Sequence, residues 1–158
     1  CTVWFNAVVR GDVHFIKIGN RTNIQDNSCL HTLNGKAPVI LGDDVTIGHS
    51  VTLHGCVVHD GALIGMGATV LDHAEVGKGA IVAAGALVLS NTKIGDGELW
   101  AGVPAKFIKK VDPVQAAELN QTYARHYIEY SDWFRNADAD ARNTQEVTTS
   151  EDYRAYDD

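Results

Sequence analysis

An aliphatic residue at every sixth position, glycine directly after many of them, and a change to helical spacing near residue 112 together predict an all-β solenoid. The predicted fold is a parallel β-helix of hexapeptide repeats followed by a C-terminal α-helix. Ile18, Ile24 and Leu30 stand six apart, as do Leu41, Ile47 and Leu53. Val58, Ile64, Val70, Val76, Val82, Val88, Ile94 and Trp100 continue at six without a break. That period fits neither an amphipathic helix nor a long alternating strand. It fits short strands that each give one aliphatic residue to a shared interior, three strands to a coil. Glycine follows at Gly19, Gly42, Gly48, Gly65, Gly77 and Gly95, where turns crowd the backbone or need positive φ.

Two irregularities interrupt the repeat. Leu30 to Leu41 is one hexad plus five residues, which places an insertion near Asn34–Pro38. Leu53 to Val58 is one residue short. Insertions in solenoids emerge at turns, often beside the functional surface. After the coils, Asp112, Pro113 and Gln115 form a helix start, with a capping aspartate, proline in the first turn and a capping-box partner. Ala116, Leu119, Tyr123, Tyr127, Tyr130 and Phe134 then recur at three and four, so one helix is expected to fold back along the prism or pack on a neighbour. The expected organisation is a β-helix over 1–110, a helix over 111–135 and an acidic, mobile tail over 136–158. The chain opens at Cys1 rather than methionine, and the expectation is that an N-terminal coil precedes it.

Charge narrows the function. The 158 residues carry 13 basic and 20 acidic side chains, a formal −7. Seven acids and two arginines after residue 135 account for −5 of this, leaving −2 on residues 1–135. Neither nucleic acid nor an anionic membrane surface suits such a chain, and no apolar run reaches the ~20 residues of a spanning helix. Three cysteines without a CxxC pair point to a reducing compartment, hence a cytoplasmic location.

The repeat also sorts the seven histidines. With the insertion looped out, Leu30 and Leu53 share a face in adjacent coils. His31 and His54, each following one of them, stack on the outer surface as a pair of ligands suited to one ion. His49 belongs to another corner and meets such a pair only across subunits, in a threefold assembly of prisms. A lone histidine on a solenoid is ordinarily a surface residue, and His14, His59, His73 and His126 are read that way. Cys56 is read as a small buried thiol in preference to a soft ligand.

At these residues the chain resembles a known family. Val9-Arg10-Gly11-Asp12, Thr22-Asn23-Ile24-Gln25-Asp26-Asn27, Leu30-His31, Ile47-Gly48-His49 and Leu53-His54-Gly55-Cys56 are similar in content, order and approximate spacing to the gamma-class carbonic anhydrases. Leu63-Ile64-Gly65-Met66-Gly67-Ala68 and Gly102-Val103-Pro104-Ala105-Lys106 extend the match, which covers about residues 3–135. The resemblance implies a left-handed β-helix homotrimer with a metal at each interface, His31 and His54 from one chain and His49 from its neighbour. It implies an intersubunit ion pair between Arg10 and Asp26. Gln25 would bond the water or bicarbonate, Asn23 would orient Gln25, and Tyr127 would line the site. Its competing role is a core aromatic of the helix face.

Three neutral imidazoles leave a divalent ion an open position. Zinc there brings water to a pKa of about 7, so hydroxide attacks carbon dioxide and bicarbonate forms; Fe2+ and Co2+ suit the same ligands. One departure bears on turnover. Archetypal members carry a proton-shuttling glutamate in the loop after the first histidine, whereas residues 32–40 hold no carboxylate. Slow turnover is expected unless buffer, His14 or another group moves the proton. The alternatives are a hexapeptide acyltransferase or thioesterase acting on a coenzyme A ester, and a non-catalytic, metal-stabilised trimeric assembly protein.

Overall fold

The computed structural model describes residues 1–135, so the expected mobile tail lies outside the described residues. Hexads form strands of two or three residues, and up to the closing hairpin every strand pairs in parallel with the strand one coil away. Three sheets result. Their inward columns are Val3, Ile24, Ile47, Ile64, Val82 and Trp100 on the first, and Val9, Leu30, Leu53, Val70 and Val88 on the second. The third carries Ile18, Leu41, Val58, Val76 and Ile94. From Ile24 to Val88 these residues are at most 1% exposed. The solenoid reading is therefore correct to the residue.

The repeat starts two strands before residue 18. Val3 and Val9 are already inward, but the loop Gly11–Phe15 makes the step from Val9 to Ile18 nine positions and hides the period. Both valines line the end of the stack and stay half-exposed. The predicted insertion is a small turn closed by a Leu33–Ala37 bridge, and the coil that contains it steps 23 residues from Cys29 to Thr52.

Glycine has two separate duties. Those that follow an aliphatic residue do not need positive φ; they sit where the next coil's backbone passes close. A Cβ on Gly65 would lie 2.5 Å from the Ala84 nitrogen. Left-handed φ belongs instead to one corner residue per hexad, including Asp44, Ser50, Gly55, Gly61, Gly67, His73, Gly79, Gly85, Asn91 and Gly97. A second small position lies two residues before each inward one. Val45, Val51, Cys56, Ala62, Ala68, Ala74, Ala80 and Ala86 fill it and are buried. In the coil before, Thr22 and Ser28 take that place, and their hydroxyls satisfy the backbone by donating to the Gly42 and Gly48 carbonyls.

The last coil ends in an antiparallel hairpin, Glu98–Gly102 with Ala105–Lys110. Glu98 Oε2 accepts the Gly95 N–H and the Trp100 indole N–H, each at 2.9 Å, and Lys110 lies 3.3 Å from its other oxygen. The helix Pro113–Arg135 starts as predicted, with Asp112 Oδ1 accepting the Val114 and Gln115 amides at 2.9 and 3.0 Å. Its buried positions are Ala116 and Ala124, with Tyr127 half-buried, whereas Leu119, Tyr123 and Phe134 of the predicted apolar stripe are exposed. Small alanines rather than the larger residues face inward, and Ala116 borders a cavity with the coil-corner residues Gly61, Gly79 and Gly97. Cys1–Ile128 form one compact unit, and the chain from Glu129 belongs to a second. Within that second unit Tyr130 packs against Trp133 at 4.8 Å.

Two measurements test this account. Gly65→Ala should cost about 1–3 kcal/mol through overpacking, while Gly67→Asn, with open space around its Cβ and a residue that tolerates left-handed φ, should cost well under ~1 kcal/mol. Equal losses in thermal unfolding would contradict the division of glycine roles. The Trp100 and Gly95 hydrogen bonds, assisted by Lys110, hold the Glu98 carboxyl below its ordinary 4.5. Its contribution is present above that value and fades as pH falls through the lowered one. Amide protection factors in the hairpin 98–110 should drop in that acid range, and Glu98→Gln should remove the pH dependence.

Candidate metal centre

The site begins with strand register. His31 pairs with His54 across adjacent strands of the second sheet, and Arg10 pairs with His31 one coil before. Both imidazoles therefore project from the same outer face. Their ring centroids are 5.0 Å apart, and His31 Nδ1 stands 3.1 Å from His54 Nε2.

Carboxylates hold the far side of each ring. His31 Nε2 is 3.0 Å from Asp12 Oδ1, and His54 Nδ1 is 2.6 Å from Asp72 Oδ1. Asp12 is ionised, because the Arg10 guanidinium, 2.6 Å from its other oxygen, holds its carboxyl below the usual aspartate range. A nitrogen this close to a carboxylate carries the proton, which assigns Nε2–H to His31 and Nδ1–H to His54. In the neutral rings the two facing nitrogens are then both acceptors. Lone pair opposes lone pair at 3.1 Å, an arrangement that calls for a cation between them. Two nitrogens bound at about 2.0–2.1 Å to a tetrahedral zinc stand roughly 3.3 Å apart, so the pair fits half of such a site.

His49 lies at another corner. Its Nδ1 is 3.0 Å from Asp26 Oδ2, and its Nε2 is 3.4 Å from the Tyr127 hydroxyl. Tyr127 packs edge-on against Trp4 with centroids 5.2 Å apart. Among the described residues no three His, Cys, Asp or Glu side chains of one chain are grouped closely enough to hold a metal ion. His49 thus does not join the pair within a chain, as the repeat predicted. Each of the three histidines nonetheless has the same construction, with one nitrogen on an aspartate and the other left as an acceptor.

The remaining predicted residues are placed as follows. Gln25 is 5% exposed and donates its amide to Asn23 Oδ1 at 3.1 Å, and Asn23 donates to Thr46 Oγ1 at 3.0 Å. This buried chain on the first sheet fixes how the Gln25 carboxamide is turned. Within the chain Arg10 pairs with Asp12, and Asp26 with His49. Sequence reasoning missed Asp12 as a partner of His31 and Asp72 as a partner of His54. Asp12 lay inside a quoted motif, and Asp72 lies one coil beyond, level with Gly55 rather than His54. Of the histidines read as surface residues, His59 pairs with Glu75 at 2.8 Å and His73 supplies a left-handed corner. Cys56 is the buried thiol expected, occupying a small-residue position, and burial followed by the charge of Asp72 pushes it up to about 12.

Comparison with known proteins now decides the family. A carbonic anhydrase of Geobacillus kaustophilus is 50% identical over 134 residues, covering 85% of this chain and 72% of that protein. The chain belongs to the gamma-class carbonic anhydrase family. Gamma carbonic anhydrase 1, mitochondrial, of Arabidopsis thaliana is 51% identical over 77% of this chain. This gamma-class chain spans about half the length of the curated plant relatives it matches, 46% and 47% for two of them. The bacterial transferase hexapeptide (six repeats) model matches residues 55–90, the stretch where hexads run without interruption. Among solved structures, a hexapeptide transferase family protein from Anaplasma phagocytophilum is 41% identical. It covers 82% of this chain and 75% of that chain, with a TM-score of 0.77. No helix among the described residues is long and apolar enough to cross a membrane.

The thiol assignment has a direct check. At about pH 8 an alkylating reagent should modify exposed Cys1 and leave Cys56 untouched until the protein is denatured. Rapid native labelling of Cys56 would contradict its place in the core.

Proposed function

We propose that this chain catalyses the reversible hydration of carbon dioxide to bicarbonate, at a metal site completed between subunits of a homotrimer. The observation that carries the reading is the pair of facing acceptor nitrogens on His31 and His54. They supply two ligands, and His49 of a neighbouring copy supplies the third through its own acceptor nitrogen. Family membership supports the same assignment. A divalent ion held by three neutral imidazoles keeps an open position and supplies hydroxide near neutral pH, zinc being the proposed ion and Fe2+ and Co2+ compatible with the same donors.

The protein's own groups do the rest. Asp12, Asp72 and Asp26 fix which nitrogen of each ring is available. Gln25, turned by Asn23, presents its carboxamide to the attacking oxygen and to bicarbonate. Tyr127, in contact with His49, borders the site. Arg10 and Asp26 are proposed to pair across the interface, which would tie the His31 strand to the neighbour's His49 corner. Residues 32–40 offer no carboxylate to carry the proton away, so turnover should rise with buffer concentration.

Complementation separates a shared site from one built within a chain. His54→Ala and His49→Ala should each lose metal and hydratase activity by more than the 10–100-fold that a supporting residue costs. Co-expressed, they should regain activity, because roughly a quarter of randomly assembled interfaces pair an intact His31–His54 chain with an intact His49 chain. A mixture no better than the separate variants would overturn the shared site. One metal per chain with no hydration rate in strong buffer would overturn the catalytic reading and leave the metal-stabilised assembly.

A further inference from the structure

The carboxylate beneath His54 is set differently from the other two. Asp12 is half-exposed on the loop Gly11–Phe15, and Asp26 is 32% exposed. Asp72 is sheltered to a similar degree as Asp26, at 27%, but its contact with His54 is the shortest of the three at 2.6 Å. Its backbone is pinned on both sides. The Asn91 N–H donates to the Asp72 carbonyl at 3.0 Å, and the His73 N–H donates to the Gly55 carbonyl at 2.8 Å. His73 takes a left-handed corner, φ 59°, that turns the chain immediately after the aspartate.

Gly55 makes the room. It directly follows His54 and has φ 52°, and a Cβ built on it would stand 2.5 Å from Asp72 Oδ1 and 2.9 Å from the Ala37 Cβ. The same oxygen bonds His54 Nδ1. The missing side chain at 55 therefore leaves the gap that the carboxylate occupies. Ala37, brought to that spot by the insertion turn, closes its other side.

We propose that Asp72 is the positioning residue of the His54 ligand. It holds that ring in the Nδ1–H form with Nε2 aimed at His31, and Gly55 supplies the gap that admits its carboxylate. The site is then preorganised from within one chain, one coil further along the stack, before any metal or neighbouring subunit arrives. The role in metal binding rests on the reading given under Proposed function; the tautomer assignment does not.

Both parts can be measured on the chain of residues 1–158. In chelator-treated, metal-free protein, long-range 1H–15N correlation spectra should show His54 as the Nδ1–H tautomer. Asp72→Ala should shift it toward Nε2–H. Asp72→Asn, whose amide oxygen can still accept the same proton, should restore Nδ1–H. Gly55→Ala, which keeps Asp72 but fills its gap, should reproduce the alanine variant. Circular dichroism identifies any variant that fails to fold, and the remaining variants still decide the question. Zinc titration should show affinity about 10–100-fold weaker in Asp72→Ala and largely recovered in Asp72→Asn. If His54 keeps its tautomer in Asp72→Ala, or if Asp72→Asn is as impaired as Asp72→Ala, the positioning role is wrong. A wild-type chain that binds no zinc, but whose His54 tautomer still responds to residue 72, overturns the functional reading and leaves the positioning role standing.

Discussion

Parallel pairing between successive coils, with inward residues stacked directly over one another, is the constraint on which the remaining features depend. Strands of two or three residues cannot persist alone. They persist here because each donates its backbone groups to the coils above and below, while Leu30, Leu53, Val70 and Val88 form an unbroken apolar column. The same register that stacks Leu30 on Leu53 stacks His31 on His54. A slip of one residue would turn both imidazoles inward and both leucines out. The facing pair of imidazoles thus follows from the same register that packs the core.

Charge then refines what register delivers. A stacked pair of imidazoles could settle as donor to acceptor, with one ring's N–H on the other's lone pair. In neutral rings Asp12 and Asp72 oppose that option by each accepting the N–H on the far side of its ring. What remains is a cleft with two acceptors and no donor between them, a surface that prefers a cation. The carboxylates reach the rings from loop and corner positions. The stacked hexads provide the rigidity and the departures from the hexad provide the chemistry.

Much of this was legible in the sequence, because a solenoid converts spacing into position. The aliphatic hexads identified the interior, the five-residue excess before Leu41 identified the insertion, and Asp112-Pro113 identified the helix start. The first coil was missed because the loop Gly11–Phe15 breaks the period between Val9 and Ile18. Both reasons for glycine, crowding and left-handed φ, were legible, but not which glycine serves which, since the sequence shows only the residue type. The period of three and four marks a stripe without saying which of its positions meet the coils: within one chain Ala116 and Ala124 are buried, whereas Leu119 and Tyr123 are exposed.

Sequence by itself determined the coil, its register, the stacked pair of histidines and the separation of His49 from them. These follow from counting, since each hexad advances the chain by one face. Only the tertiary structure decided which carboxylate meets each ring and the partners of Arg10 and Asp26 within the chain. It alone assigned the use of Gly55 as a gap for Asp72. Those depend on side chains that leave loops and corners at angles no period encodes, and on contacts of 2.6–3.1 Å that a change of one rotamer would break.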